Sequence, residues 1–538
     1  MEMMCALDYR RRNESNGEGR RQRAERRVVD TVGGKLRGVT ADGVSAFRGI
    51  PYGDTTLGGR FQQAAPARWT GVRDADRYGP SAPQIHPGAT AVPIHLAWNF
   101  DSERRSEDCL VLNVFTPASN SWDTLPVMVF FHGGSFAHGS ASPIGLDGRN
   151  LAEQGVVVVS INHRLNVFGH LYLGHYHERY ADSGNVGLLD AVLALRWVRE
   201  NISQFGGDPT SVTIFGQSGG GSKVAGLMAM PAAKGLFHRA IIQSASSMLR
   251  FATIEEAARN AHHLLEVLQS SRLSTLDDLP VKALLEAVPR TVAAAGGVDN
   301  FRPVIDGDHL PAQPFDADSI GLSSAVPLLI GWCETEQRAA FSLAPENYDQ
   351  TREEALERVG RFLDVPRRVA STVMSTYARP RPHDSPGDLM TLIYGDHRYR
   401  RTVTRAAELR AATVEAPTYA YLLKWKSPVL GGSLRSPHML CLPFVFRNVD
   451  HATEFVGRET DRYRLQEEMS QAWVAFARTG RPVCEKLPHW PRFSLSGRPT
   501  MVFDRHTAVE NDPAAGERLI LESCPPYMPA EAEGGRRH

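Results

Sequence analysis

Ser218 stands in Phe215-Gly216-Gln217-Ser218-Gly219-Gly220-Gly221, directly after the β-branched run Ser211-Val212-Thr213-Ile214 and ahead of a helix-capable segment from Lys223 to Met230. A strand, G-x-S-x-G and a helix describe a sharp turn presenting a nucleophilic serine, with glycines two residues either side leaving room for a strained backbone. Taken alone the pattern is weak, since it arises by chance in roughly one such chain in four. A serine is not nucleophilic at its own pKa, so a histidine must take its proton and a carboxylate must orient that imidazole and stabilise its charged form. Where this turn occurs the chain order is serine, acid, histidine, so both partners are sought after Ser218. His438, in Ser436-Pro437-His438-Met439-Leu440, lies on a loop between the strand-like Ala420-Tyr421-Leu422-Leu423 and Pro443-Phe444-Val445-Phe446. For the acid, strand-like Leu328-Leu329-Ile330-Gly331 runs into Trp332-Cys333-Glu334-Thr335-Glu336, where Glu334 and Glu336 compete and spacing alone does not choose.

These side chains need a scaffold. Val127-Met128-Val129-Phe130-Phe131 and Val156-Val157-Val158-Val159-Ser160-Ile161 are continuous apolar runs, as expected of central strands in a parallel sheet buried on both faces by helices. Directly after the first run comes His132-Gly133-Gly134-Ser135-Phe136, at the carboxyl end of a strand, where ligands bind in open α/β sheets. A tetrahedral intermediate needs donors aimed at its oxyanion, and small residues let backbone N–H groups approach. Gly134 and Ser135, with Gly219 after the nucleophile, are the candidates; the alternative for the loop is an ordinary glycine turn without a ligand.

The chain has 538 residues, and no linker, repeat or low-complexity tract interrupts it from Val28 to about Tyr527. One large α/β domain over 28–527 is expected, with a basic tail over 1–27 and a polar tail over 528–538. Arg10, Arg11, Arg12, Arg20, Arg21, Arg23, Arg26 and Arg27 stand among polar residues, so this tail reads as disordered and solvated, or as a misplaced start, rather than as a polybasic docking arm. No apolar signal-like region follows the arginines and no apolar run is long enough to span a bilayer, which makes cytoplasmic the default location. Lys plus Arg and Asp plus Glu balance at 60 each, excluding an extended nucleic-acid or anionic-membrane footprint and leaving a small molecule as partner. Oligomeric state is left open. The six cysteines show no metal-binding spacing, and His262 and His263, adjacent on an amphipathic helix, point about 100° apart. No metal or organic cofactor is implied.

At this point the residues resemble the type B carboxylesterases, the family that includes the cholinesterases and many bacterial esterases. Phe205-Gly206-Gly207-Asp208-Pro209 through Gly220 matches the whole nucleophile signature of that family, and Glu107-Asp108-Cys109-Leu110-Val111-Leu112-Asn113-Val114 resembles its second signature, with Val111 where Tyr or Thr is usual. Further matches include Phe47-Arg48-Gly49-Ile50-Pro51-Tyr52, Ile161-Asn162-His163-Arg164-Leu165, Phe301-Arg302-Pro303-Val304-Ile305-Asp306-Gly307 and Trp473 through Gly480. The resemblance implies an α/β-hydrolase fold: a mostly parallel central sheet, helices on both faces and large helical insertions after the nucleophile elbow. It selects Glu336 over Glu334, five residues after the strand-ending Gly331, and supports His438. It also implies that Ser246, in Gln243-Ser244-Ala245-Ser246, is a serine supporting the triad from behind.

The implied activity is cleavage of carboxylic esters through an acyl-enzyme on Ser218. An amidase, carbamate hydrolase or lipase using the same triad is the alternative, and a non-catalytic binding module of the same fold the more distant one. Departures from the family pattern carry expectations of their own. Ser135 replaces a Gly or Ala, a small enough change for a backbone donor. Ala82 stands where secreted relatives place the disulfide partner of Cys109, so Cys109 is expected as a free thiol in a reducing compartment. Cys441 stands three residues after His438, where many relatives have an acid. Trp98 falls near a choline-stacking tryptophan of the cholinesterases, but beside Asn99 and Phe100 it reads as a wall of the alcohol pocket or as surface packing.

Overall fold

The computed structural model describes residues 25–54, 59–85, 104–269, 274–294, 301–338 and 348–527. Its main sheet has 13 strands: β1 (Glu25–Thr31), β2 (Gly34–Ala41), β3 (Val44–Pro51), β4 (Val72–Asp74), β5 (Val111–Thr116), β6 (Leu125–Phe131), β7 (Val157–Ile161), β8 (Gly207–Gln217), β9 (Arg239–Gln243), β10 (Leu328–Cys333), β11 (Thr418–Leu423), β12 (Pro499–Phe503) and β13 (Ala508–Asn511). The order is β1-β2-β3-β5-β7-β6-β8-β9-β10-β11-β12-β13, with β4 beside β2. From β7 to β12 every neighbouring pair is parallel. Antiparallel strands close both ends. Thus β6, β8, β10 and β11, the strands that lead into the candidate site, all end on one edge of the sheet.

Period-two alternation explains the double burial of the apolar runs. Val127, Val129 and Phe131 join Val157, Val159, Ile161 and Ile214 in one core, covered by α1 (Val186–Asn201), α2 (Gly219–Met228) and, later in the chain, the helix Arg401–Thr413. Met128, Phe130, Val158 and Phe215 face the other core, where the helix Asp461–Thr479 supplies Leu465, Met469, Trp473 and Phe476. Each such side chain, removed from water, contributes roughly 1.5–3 kcal/mol.

The expected insertions follow the elbow. Between β9 and β10 come α3 (Ile254–Val267) and α4 (Val281–Ala294), which pack Ala261, Leu264, Leu284 and Ala287 together. Between β10 and β11 come α5 (Arg352–Leu363), α6 (Arg367–Ala378), α7 (Pro386–Gly395), a π-helical turn at Asp396–Arg400 and α8 (Arg401–Thr413). Helix α9 (Asp461–Thr479) precedes β12. His262 and His263 lie on α3, each against Glu266 at 3.3 and 3.4 Å.

Two local expectations shift. The basic tail ends earlier than 27, because β1 begins at Glu25 and Arg27 donates to the Ala118 carbonyl at 2.6 Å. The rest of that tail and the 528–538 tail lie outside the described residues. The helix after the nucleophile begins at Gly219 rather than Lys223, and Pro443–Val445 belongs to a short helix, Cys441–Val445.

Candidate active site

Strand β8 delivers Ser218 to the start of α2 with φ 58° and ψ −126°, a conformation costly for any residue with a Cβ. The flanking glycines explain how the turn closes. A Cβ on Gly216 would sit 2.4 Å from the Gly220 carbonyl carbon, and one on Gly220 would sit 2.0 Å from the Phe131 carbonyl oxygen. The Ser218 N–H donates to Gln243 O at 2.8 Å, fixing the turn to β9.

The loop after β6 curls beside it. Gly134 (φ 88°) and Ser135 (φ 54°) are both left-handed, and the Gly134 carbonyl accepts from the N–H groups of Ala137 and His138 at 3.2 and 3.1 Å. A Cβ on Gly219 would lie 2.2 Å from Ser135 O and 2.5 Å from Ser135 N, so loop and elbow touch through bare backbone. Among the described residues, nothing accepts a hydrogen bond from the N–H of Gly134, Ser135 or Gly219. Backbone donors left unpaired in one place are what an oxyanion site requires.

Glu336 and His438 meet across two loops. Glu336 is buried, its Oε1 accepting from the Cys333 N–H at 2.7 Å and its Oε2 lying 2.5 Å from His438 Nδ1. The His438 N–H donates to the Glu336 carbonyl at 3.1 Å. Ser436 stitches the same loops together: its N–H donates to Thr335 Oγ1 at 2.9 Å and its hydroxyl to Leu423 O at 2.7 Å. Glu334 points elsewhere, into a 300 Å³ cavity with Arg381, Lys426 and Arg435, and burial raises its pKa.

On its other side, the His438 imidazole places Nε2 3.0 Å from the side-chain amide nitrogen of Gln217. Gln217 Nε2 thus donates to the imidazole nitrogen that would serve as base, while Nδ1–H faces Glu336. Among the described residues the Ser218 hydroxyl makes no hydrogen bond. The structure therefore brings Ser218, the oxyanion loop and the His438–Glu336 pair to one edge, with Gln217 occupying Nε2 in the resting arrangement. Catalytic hydrogen bonds are often long before substrate arrives.

The aromatic ring of Tyr399 lies 4.7 Å from that of His438, tilted by 40°. Tyr399 belongs to the π-helical turn, a distortion frequent at functional sites. Ser246 is not drawn to the triad: its hydroxyl bonds Ser247 at 3.4 Å, and it lines a 460 Å³ cavity with Leu249, Arg250, Arg401 and Tyr527. Ser244 lies closer to the acid's strand, its N–H donating to Gly331 O at 2.8 Å. Cys441 and Cys333 are buried free thiols close to Glu336, and burial raises the Cys333 thiol's pKa. Cys109 is a buried free thiol, as expected. Trp98 lies outside the described residues. Among the described residues, no three His, Cys, Asp or Glu side chains are grouped to hold a metal ion.

The sequence profile described as the carboxylesterase family matches residues 25–518. The chain belongs to that family. It is 38% identical to the para-nitrobenzyl esterase of Bacillus subtilis (strain 168), over 92% of this chain and 98% of that protein. It is 34% identical to the phenmedipham hydrolase of Pseudarthrobacter oxydans, over 93% and 99%. Among solved structures, a Geobacillus stearothermophilus carboxylesterase superposes with a TM-score of 0.79 at 35% identity, covering 92% of this chain and 99% of that one. A para-nitrobenzyl esterase structure gives 0.78 at the same identity and coverage. These carboxylesterase relatives share the α/β-hydrolase fold, and this member is a carboxylic ester hydrolase.

Gln217 and Tyr399 escaped the sequence reading. Gln217 occupies a wild-card position of G-x-S-x-G, and Tyr399 reaches His438 only through the π-turn.

Proposed function

We propose that the chain cleaves carboxylic esters by acyl transfer to Ser218, with His438 as base and then acid, Glu336 as its orienting carboxylate, and the N–H groups of Gly134, Ser135 and Gly219 as the oxyanion hole. The observation that carries this is the set of unpaired backbone donors beside Ser218, on the same edge as the His438–Glu336 pair. When an ester carbonyl enters, Nε2 exchanges the Gln217 amide for the Ser218 hydroxyl and takes its proton as Oγ attacks. The tetrahedral oxyanion sits on the three donors, and Glu336, ionised throughout, stabilises the imidazolium. The imidazolium gives its proton to the departing alcohol, leaving the acyl-enzyme. Water, deprotonated by the same imidazole, then releases the acid and restores Ser218.

The test is Ser218→Ala, which should abolish both hydrolysis of p-nitrophenyl acetate and labelling by an organophosphonate. Persistent labelling would overturn the assignment of the nucleophile. The triad alone does not separate esters from amides, carbamates or long-chain lipid esters; a p-nitrophenyl series from acetyl to palmitoyl with anilide counterparts ranks them. A small-molecule ester is the partner proposed. A cytoplasmic location is supported by the free thiols of Cys109, Cys333, Cys441, Cys484 and Cys524, and no described helix is long and apolar enough to cross a membrane. One folded unit is supported by a single sheet that draws strands from Glu25 to Asn511.

A further inference from the structure

Helix α2 carries a lysine in its buried interior. Lys223 lies five residues after Ser218 and is 0% exposed. Among the described residues its ammonium has one hydrogen-bonding partner, the His132 carbonyl at 2.9 Å, and no carboxylate within ion-pair distance. Its Nζ also lies 5.8 Å from the centre of the Phe136 ring, within range of cation–π attraction. His132 and Phe136 are the two ends of the oxyanion loop. A charged group this deep, unpaired by any acid, is expensive to keep, and a methionine would fill the same space at lower cost.

Resting on the proposed function, we infer that Lys223 is a positioning residue for the oxyanion loop: it grips both ends of His132–Phe136 and places a positive charge behind the N–H groups of Gly134, Ser135 and Gly219. The loop is thereby tied to the helix that begins at the nucleophile, so donors and Ser218 move as one body. The surroundings are built around the ammonium. The His132 ring stacks on His163 at 5.1 Å and 13°, and the Phe136 ring meets His170 edge-on at 5.3 Å.

The charge on Lys223 is conditional on pH. Burial pushes its amine down to about 7, so it is cationic below that pH and loses its charge above. Three of the titratable groups facing it keep one charge state across the readout. Burial, reinforced by Lys223 itself, holds His132 and His163 well below the ordinary histidine range, and burial holds His170 at about 3; all three stay neutral from pH 6 to 9. Arg164 and Asp190, a buried pair at 2.6 Å beside them, carry opposite charges. His138, on the same loop, bears on His132.

The test measures kcat and KM separately for p-nitrophenyl acetate with the full chain and its Lys223→Met variant from pH 6 to 9. At pH 6.5 the variant should lose roughly tenfold to a hundredfold in kcat, a step below the loss of a direct oxyanion donor, with KM within about threefold. The wild-type to variant ratio should shrink at least about threefold by pH 9, as the wild-type amine loses its proton, while thermal stability is equal or higher. Should the methionine variant not fold, Lys223→Gln, neutral at every pH, is read by the same ratio. The inference is overturned by kcat within twofold of wild type at pH 6.5, by a loss confined to KM, or by a ratio that does not change with pH. Retained activity in Ser218→Ala would instead overturn the catalytic assignment, so the two failures are distinguishable.

Discussion

Replacing Glu336 by glutamine keeps shape and removes one charge, and the surroundings dictate how the amide must sit. Oε1 accepts from the fixed Cys333 N–H at 2.7 Å and Oε2 accepts from His438 Nδ1–H at 2.5 Å. An amide has one oxygen to offer to these two donors. With that oxygen toward Cys333, the NH₂ faces Nδ1 and drives the proton to Nε2, where it blocks the base. With the oxygen toward Nδ1, two buried N–H donors confront each other, at a cost of about 1–3 kcal/mol. The productive orientation therefore starts at that disadvantage and also loses the charged hydrogen bond to the imidazolium, worth about 1.5–3 kcal/mol. Together these raise the barrier by about 2.5–6 kcal/mol, or roughly 10²–10⁴ in kcat. The assay is steady-state hydrolysis of p-nitrophenyl acetate at pH 7.5, with the fold checked by circular dichroism. Glu334→Gln is the control, expected within about threefold of wild type because Glu334 faces the cavity of Arg381, Lys426 and Arg435. A Glu336→Gln enzyme keeping more than a tenth of its kcat, or an equal loss in Glu334→Gln, would refute the reasoning.

Gly220→Ala would put a Cβ 2.0 Å from Phe131 O and 3.0 Å from His132 O, both backbone atoms that cannot swing aside. Helix α2 must then back away from β6, at about 1–3 kcal/mol of stability and, because the oxyanion donors move apart, at least about a hundredfold in kcat; a soluble variant with wild-type melting temperature and kcat would contradict the packing. Acid stability follows from buried imidazoles. Burial lowers His170 and His397 to about 3 and His132 and His163 well below the ordinary histidine value, whereas unfolded histidine titrates near 6.5. Between those values the unfolded chain binds more protons, so stability rises with pH and is lost as pH falls below about 6.5, each group adding up to ~1.4 kcal/mol per pH unit. Melting temperatures measured from pH 7.5 to 5 should fall progressively below pH 6.5, and a flat curve to pH 5 would show that these rings are not buried neutral.

What was legible in the sequence follows from the range of each interaction. The central strands could be read because burial on both faces leaves a continuous apolar run, and Val127–Phe131 and Val157–Ile161 are such runs. Order along the chain confined the histidine to the residues after Ser218, and the family resemblance pointed to the His438 loop. The choice between Glu334 and Glu336 was not local: it depends on a turn that carries Glu336 back to the Cys333 N–H and on a loop about a hundred residues away. The serine after β9 was not local for a related reason. Two serines stand two apart after β9, and only the pairing of β9 with β10 shows that Ser244, whose N–H reaches Gly331 O at 2.8 Å, is nearer the acid's strand.

The start of α2 shows why local propensity fails at a site of this kind. Gly219, Gly220 and Gly221 are poor helix formers, costing up to about 1 kcal/mol each relative to alanine, and on propensity the helix should begin at Lys223. It begins at Gly219 because Phe131, His132 and Ser135 approach its first turn so closely that no Cβ fits at Gly219 or Gly220. The propensity lost there is offset by burial of every residue of α2. The close approach also places the free N–H of Gly219 beside that of Ser135. The glycines that made the motif look like chance composition are thus required twice, once by the strained turn at Ser218 and once by the contact that assembles the oxyanion donors. Lys223, the one charged residue of α2, ties down the far side of that contact.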